Sequence, residues 1–205
     1  MTASNASDDE TLAFYDAHAE TYADAFADAR DEKQLARFIA RLPEGGHACD
    51  LGAGSGWAAA YMKTEGFAVT ALDGSAGLAA QARRRYGLDV TVMRFEEFNV
   101  HAVFDGIWAA WSLHHAPRAA FPDILTRVVA GLKTGGVLYL AMKGGRGEGR
   151  DKLDRLYAYY EADELRAHLS ERGMRVETFE TFEGPSFDGS RSPLHAILAT
   201  KAQSG

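Results

Sequence analysis

The sequence predicts an α/β protein with a parallel sheet covered by helices on both faces. Three observations carry this. Short apolar runs alternate with helical patterns along most of the 205 residues, the signature of parallel strands joined by crossover helices. A glycine turn, 50-DLGAGSG-56, joins one such run to a helical pattern. The last two apolar runs have no helix between them, so they are expected to pair antiparallel. The length suits one domain, and 46% hydrophobic residues allow a sizeable core.

Each element follows in order. Residues 1–10 have no apolar stretch and no basic start, so they are read as a frayed, disordered terminus and not as a signal peptide. Residues 11–42 read as a helical cap in one or two pieces. Leu35, Phe38, Ile39 and Leu42 form one stripe at i, i+3, i+4, i+7, ended by Pro43 and Gly45-Gly46. The rest, 43–205, reads as one domain. Its first strand is 47-HACDL-51, followed by the glycine turn and a helix from Gly56 to Glu65. Strand 67-FAVTALD-73, helix 75–86 and strand 89-DVTVMRF-95 continue the alternation. Strand 104-FDGIWAA-110, helix 121–132, turn 133-KTGG-136 and strand 137-VLYLAMK-143 come next. A glycine-rich loop, 144-GGRGEGR-150, is expected to be mobile. Helix 161–172 precedes the final strands 174-MRVETFET-181 and 194-LHAILATK-201.

Composition narrows the function. Acidic residues outnumber basic ones 29 to 22, for a formal charge of -7. That balance disfavours nucleic acid, whose phosphates need clustered cations. The run 83-RRR-85 lies in a helix and reads as a solvated face. Cys49 is the only cysteine, sits in a strand and reads as a small hydrophobe. The longest apolar run, 136-GVLYLAM-142, is too short for a bilayer, so the protein is expected to be soluble and cytoplasmic. No repeat appears. The seven histidines are scattered apart from His114-His115, so no metal site is expected.

The glycine turn suits a dinucleotide, a nucleotide phosphate or S-adenosylmethionine. Glycine permits positive φ and close backbone approach, and the following helix start offers free amides. A dinucleotide fingerprint needs a third glycine at position 57, which is Trp57; a phosphate loop needs Gly-Lys-Ser/Thr, which is absent. What remains is GxGxG behind an acid. A second acid, Asp73, ends the next strand and is placed to accept from the two hydroxyls of a ribose. It would also serve as a helix cap.

Four segments in order, 50-DLGAGSG-56, 70-TALDGSAGLAAQAR-83, 104-FDGIWAAWSLHHAP-117 and 125-LTRVVAGLKTGGVLYLAMK-143, resemble the class I S-adenosylmethionine-dependent methyltransferases. The loop 144-GGRGEGRD-151 and the segment 187-FDGSRSP-193 resemble the bacterial small-molecule, tellurite-resistance-like subgroup. The resemblance implies a Rossmann-like three-layer sandwich with sheet order 3-2-1-4-5-7-6 and strand 7 antiparallel. It implies S-adenosylmethionine as cofactor and S-adenosylhomocysteine as product.

It also implies site residues. Asp50, Gly52, Ala53, Gly54 and Gly56 would line the methionine and ribose side, with Asp73 and Gly74 at the ribose. Phe95 would offer a backbone amide to the adenine and Glu96 would accept from its amine, although Arg94 stands where an acid is common. Trp111 would face the reactive methyl, since a sulfonium is drawn to aromatic faces. Tyr15 and Tyr22, seven apart on one helix face, would cap the cofactor. His114 and His115 are the candidate bases, with His18 and His195 weaker. Arg146, Arg150 and Arg191 lie in the two segments expected to overhang the site and suggest an anionic acceptor.

The leading expectation is direct in-line methyl transfer to a small molecule, which needs neither metal nor covalent intermediate. Alternatives are a non-catalytic S-adenosylmethionine-binding protein, a methyltransferase for protein side chains and a nicotinamide-dependent oxidoreductase. The last would need a GxGxxG, which is missing. A monomer or a homodimer is expected.

Overall fold

In the computed structural model, residues 7–26 and 31–203 are described. Three helices open the chain: α1 (Asp9–Ala17), α2 (Ala19–Ala25) and α3 (Glu32–Ile39). The alternating part follows as β1 (His47–Leu51), α4 (Trp57–Thr64), β2 (Ala68–Asp73), α5 (Ala76–Tyr86), β3 (Thr91–Val92), β4 (Phe104–Ala110), α6 (Phe121–Gly131) and β5 (Leu132–Lys143). A hairpin of β6 (Glu148–Arg150) and β7 (Leu156–Ala158) precedes α7 (Ala162–Ser170), β8 (Met174–Pro185) and β9 (Arg191–Lys201).

The main sheet has seven strands in the order β3-β2-β1-β4-β5-β9-β8. Its last strand, β9, pairs antiparallel with both β5 and β8, so the expected Rossmann-like order is realised. The two sheet faces bury separate clusters. One holds Phe104, Ile107, Leu125, Val128, Leu138 and Ile197; the other holds Leu35, Phe38, Met62, Trp108, Tyr139 and Leu198. Inner strands buried on both faces explain their continuous apolar runs. The turn 133-KTGG-136 is a looped-out insertion in β5, because pairing with β4 jumps from Leu132 to Val137.

Four expectations need correction. The expected disorder of residues 1–10 fails at its inner end. Helix α1 starts at Asp9, where the Asp8 side chain accepts from the Thr11 amide at 2.9 Å; residues 1–6 lie outside the described part. The 11–42 cap is three helices, and only α1 and α2 pack on α5. Helix α3 buries Leu35 and Phe38 against the sheet beside Trp108 and Tyr139 and so belongs to the sandwich. The strand expected over 89–95 shrinks to Thr91–Val92, because the Arg94 amide turns to Glu97 Oε2 at 2.8 Å and starts a 3-10 turn. The glycine loop expected to be mobile contains β6, which pairs with β7 from Glu148 to Arg150.

The helix stops fit their sequence. Ser75 caps α5 by accepting from the Leu78 amide at 3.1 Å, and Gly87, at φ 61°, ends it. Arg83, Arg84 and Arg85 are paired with Asp89, Glu20 and Asp24, so part of the basic run tethers α5 to α2. Among the described residues no helix is long and apolar enough to cross a membrane, and no three His, Cys, Asp or Glu side chains converge as a metal site.

Candidate active site

The three glycines of the turn after β1 are required for different reasons. Gly52 has φ 80°, and a Cβ there would stand 2.2 Å from the Ser112 Cβ. Ser112 follows β4 and donates to the Leu51 carbonyl at 2.7 Å, so the ends of β1 and β4 lie tightly together. Gly56, at φ 88°, would collide with Ala82 and Leu88. Gly54 is different: φ is 55°, yet nothing stands within 4 Å of its missing Cβ. It faces open space in a conformation that disfavours side chains. Ala53 is buried among Ala59, Ala71, Ala82 and Leu88, so its side chain packs the turn from behind.

Two carboxylates support the turn. Asp50 is 2% exposed and accepts from the Ala59 amide in the first turn of α4 at 3.0 Å. It caps that helix from a neighbouring strand, since Gly56 has no side chain to do so. Burial raises its pKa to about 7. Asp73 ends β2. One oxygen accepts from the Gly54 amide at 2.7 Å and the other from the Ser75 amide at 2.8 Å. Each carboxylate oxygen keeps a second lone pair, so Asp73 both welds the strand ends and retains capacity to bind. Burial raises its pKa as well.

Helix α1 lies over this edge. Asp16 accepts from the Ser75 hydroxyl at 2.6 Å and the Gly77 amide at 2.9 Å. A Cβ on Gly74 would stand 2.7 Å from Leu12 Cδ2. Between α1 and the ends of β2 and β3 is a cavity of about 550 Å³, lined by residues including Leu12, Asp16, Gly74, Met93, Arg94 and Glu97. Phe95 and Glu96 are not in that lining. The Phe95 side chain packs against the main core, and Glu96 accepts from the Ser7 hydroxyl at 2.6 Å. Sequence reasoning missed Met93, Glu97 and the α1 residues. Arg94, noted only as a departure, lines the cavity and pairs with Asp9 at 2.6 Å.

Beyond β4 the chain enters an aromatic enclosure. Trp111 has φ 58°, rare for a bulky residue and a store of roughly 1–3 kcal/mol of strain. Its amide donates to Ala141 at 3.1 Å, and its ring meets Phe182 edge-on at 6.4 Å. His114 is 3% exposed and its Nδ1 has no partner. Burial pushes its pKa well below the ordinary value.

His115 is fully engaged. Its Nδ1 lies 2.7 Å from the Leu156 carbonyl, an acceptor, so Nδ1 carries the proton. Nε2 therefore accepts, and the Tyr15 hydroxyl donates to it at 2.9 Å. Arg155 in turn donates to that hydroxyl at 3.0 Å. Of the two histidines expected as bases, His114 keeps a ring nitrogen without a partner and His115 does not. His18 and His195 bond to the carbonyls of Phe14 and Tyr160.

Arg155 went unnoticed in the sequence. It is 1% exposed, is paired with Asp151 at 2.5 Å, and has Phe14, Tyr157 and Phe187 around its guanidinium. Tyr22 completes the cluster, packing on Tyr15 at 5.0 Å and Phe187 at 5.3 Å. The three arginines expected to hold an anion point elsewhere. Arg146 pairs with Glu161, Arg150 with Asp8 and Glu10, and Arg191 donates to the Glu183 carbonyl. Long side chains at the surface reach the nearest carboxylate or carbonyl, a direction that chain position does not reveal.

The fold and its glycine-turn crevice define a class of protein, and comparison agrees. Residues 48–136 match the methyltransferase domain family. Its sequence matches none of the curated proteins. Solved structures share the fold. A Methanosarcina mazei S-adenosylmethionine-dependent methyltransferase is 20% identical, with a TM-score of 0.71 over 81% of this chain and 97% of that one. The Burkholderia thailandensis 1,6-didemethyltoxoflavin-N1-methyltransferase, solved with its namesake compound and S-adenosylhomocysteine, is 22% identical, with a TM-score of 0.69 over 99% and 94%. DhpI in complex with S-adenosylhomocysteine is 22% identical, with a TM-score of 0.69 over 98% and 100%.

Proposed function

We propose that this chain is a methyltransferase that uses S-adenosylmethionine to methylate a small molecule by direct in-line displacement. The observation that carries the reading is the pairing of Gly54 with Asp73. An open, left-handed glycine and a carboxylate with spare lone pairs sit side by side at the ends of β1 and β2, next to the 550 Å³ cavity. Asp73 is the group for a ribose diol. Gly74, Met93 and Arg94 flank the adenine, while Gly52, Gly54 and the strained Trp111 border the methionine and its methyl.

The bound cofactor supplies a methyl group already activated by a sulfonium, so the chain's task is placement. Tyr15 and Tyr22 and the turn after β8 cover the crevice and exclude water. His114 is the base for the acceptor's proton, which requires the aromatic contacts around its buried Nδ1 to open. A weak base suffices, because that proton becomes strongly acidic as the new bond forms. A closed, aromatic-walled enclosure favours a small acceptor over a protein side chain, and a neighbour solved with a small molecule supports this. The tellurite-resistance-like subgroup rests on segments 144–151 and 187–193, which form the hairpin and turn beside this enclosure.

Calorimetric titration with S-adenosylmethionine, and separately with NADH, tests the reading. Only the first is expected to bind. Asp73→Asn is expected to weaken it at least tenfold, the order of a hydrogen bond to a charged group. No binding, or unchanged affinity in the variant, would sink the proposal.

A further inference from the structure

The enclosure contains a second cation that the methyl-transfer reading does not use. Lys143 ends β5 and is only 6% exposed. Its Nζ donates to the Ser186 hydroxyl at 2.7 Å and lies 3.9 Å from the centre of the Tyr157 ring. An ammonium has three N–H donors, and the contacts leave at least one unused. No carboxylate of the described residues lies within ion-pairing distance of Lys143, although Arg155 nearby has Asp151. Asp188 and Asp151 favour its charge only from a distance, and a buried cation without a direct ion pair gains from an anion that reaches it.

A second observation points to the same place. His114 also packs on Tyr157, with ring centres 5.0 Å apart, and its buried Nδ1 has no partner. An ammonium with a spare donor and an unpartnered imidazole nitrogen therefore flank one aromatic ring, with Trp111 on the other side of His114.

Resting on the methyltransferase reading above, we infer that the acceptor is a flat aromatic or heteroaromatic acid whose anionic oxygen is held by Lys143. Its ring lies against Tyr157 and Trp111. Its methyl-accepting atom faces His114. The anion binding expected of Arg146, Arg150 and Arg191 is thus assigned to a lysine at a strand end.

The test uses protein saturated with S-adenosylhomocysteine and three matched pairs: benzoate and benzamide, salicylate and salicylamide, nicotinate and nicotinamide. Binding is followed by NMR shift titration. Each acid is expected to bind at least fivefold tighter than its amide. Lys143→Met is expected to abolish the preference while leaving S-adenosylhomocysteine affinity intact, and Lys143→Arg to restore part of it. Equal binding of acids and amides, no binding of either, or a preference that survives Lys143→Met overturns the inference. The wild-type comparison decides even where a variant fails to fold. If S-adenosylhomocysteine itself does not bind, the methyltransferase-cofactor reading fails instead, and the two failures are distinguished at the first step.

Discussion

At the scale of single residues, the site is built from groups held away from their solution states. His114 and His115 stay neutral because burial disfavours their charge. For His115 the folded pKa falls to about 3. Above pH 6.5 both folded and unfolded forms are neutral and the group has no effect. As pH falls below that, the unfolded chain takes up a proton that the folded chain refuses. Stability then drops by about 1.4 kcal/mol per pH unit. Denaturant titrations between pH 6 and 4 should show a slope shallower by that amount in His115→Gln. Asp50 has the opposite sign. Its raised pKa means the folded state keeps a proton between about pH 4 and 7, so burial of the ionised form weakens the fold as pH rises. Asp50→Asn should gain stability relative to wild type on going from pH 4 to 8, a trend that parallel melts at the two pH values will show. His114→Gln should lower turnover by about 10²-fold or more with unchanged cofactor affinity, checked by S-adenosylhomocysteine release once an acceptor is known. The turn that Asp50, the glycines and Asp73 build was legible in the sequence because backbone geometry dictates it. Arg155 and Lys143 were not, since burial of a cation depends on neighbours that are distant in sequence.

At the scale of elements, α1 is fastened to three others. Asp16 holds α5, Asp8 holds Arg150 of β6, and Tyr15 joins Arg155 just before β7. These contacts explain why residues 9–10 are helical and why a glycine-rich segment carries a strand. Composition alone suggested disorder for both, because their partners lie far along the chain. The pair Arg155–Asp151 is the hub. Asp151→Ala would leave a buried guanidinium without its counter-ion and should destabilise by about 3–5 kcal/mol. Arg155→Met removes the charge and keeps much of the packing, so its loss should be smaller. Chemical denaturation of the two variants orders them; the reverse order would contradict the burial argument. Strand β3 shows the opposite failure, an apolar-looking run that loses most of its pairing at an exposed edge.

At the scale of the molecule, the parallel sheet was legible from alternation and the antiparallel end pairing from the missing helix before the last strand, while the strand order came from the resemblance to the class I methyltransferases. The division between cap and sandwich was not. The apolar stripe of α3 is the same whether it covers a ligand or a sheet, and only packing beside Trp108 decides. A ligand that binds the folded state alone must stabilise the whole. S-adenosylhomocysteine at a hundred times its dissociation constant should add about 2.7 kcal/mol to the unfolding free energy. The accompanying slowing of hydrogen exchange should be greatest in α1 and α2. The roof that α1 makes over the cavity also has a consequence in time. Asp9, Leu12, Ala13 and Asp16 line that space together with Gly74 and Met93, so a molecule held there lies against a helix fastened by several hydrogen bonds. Movement of the first helix is therefore expected to change how long such a molecule stays.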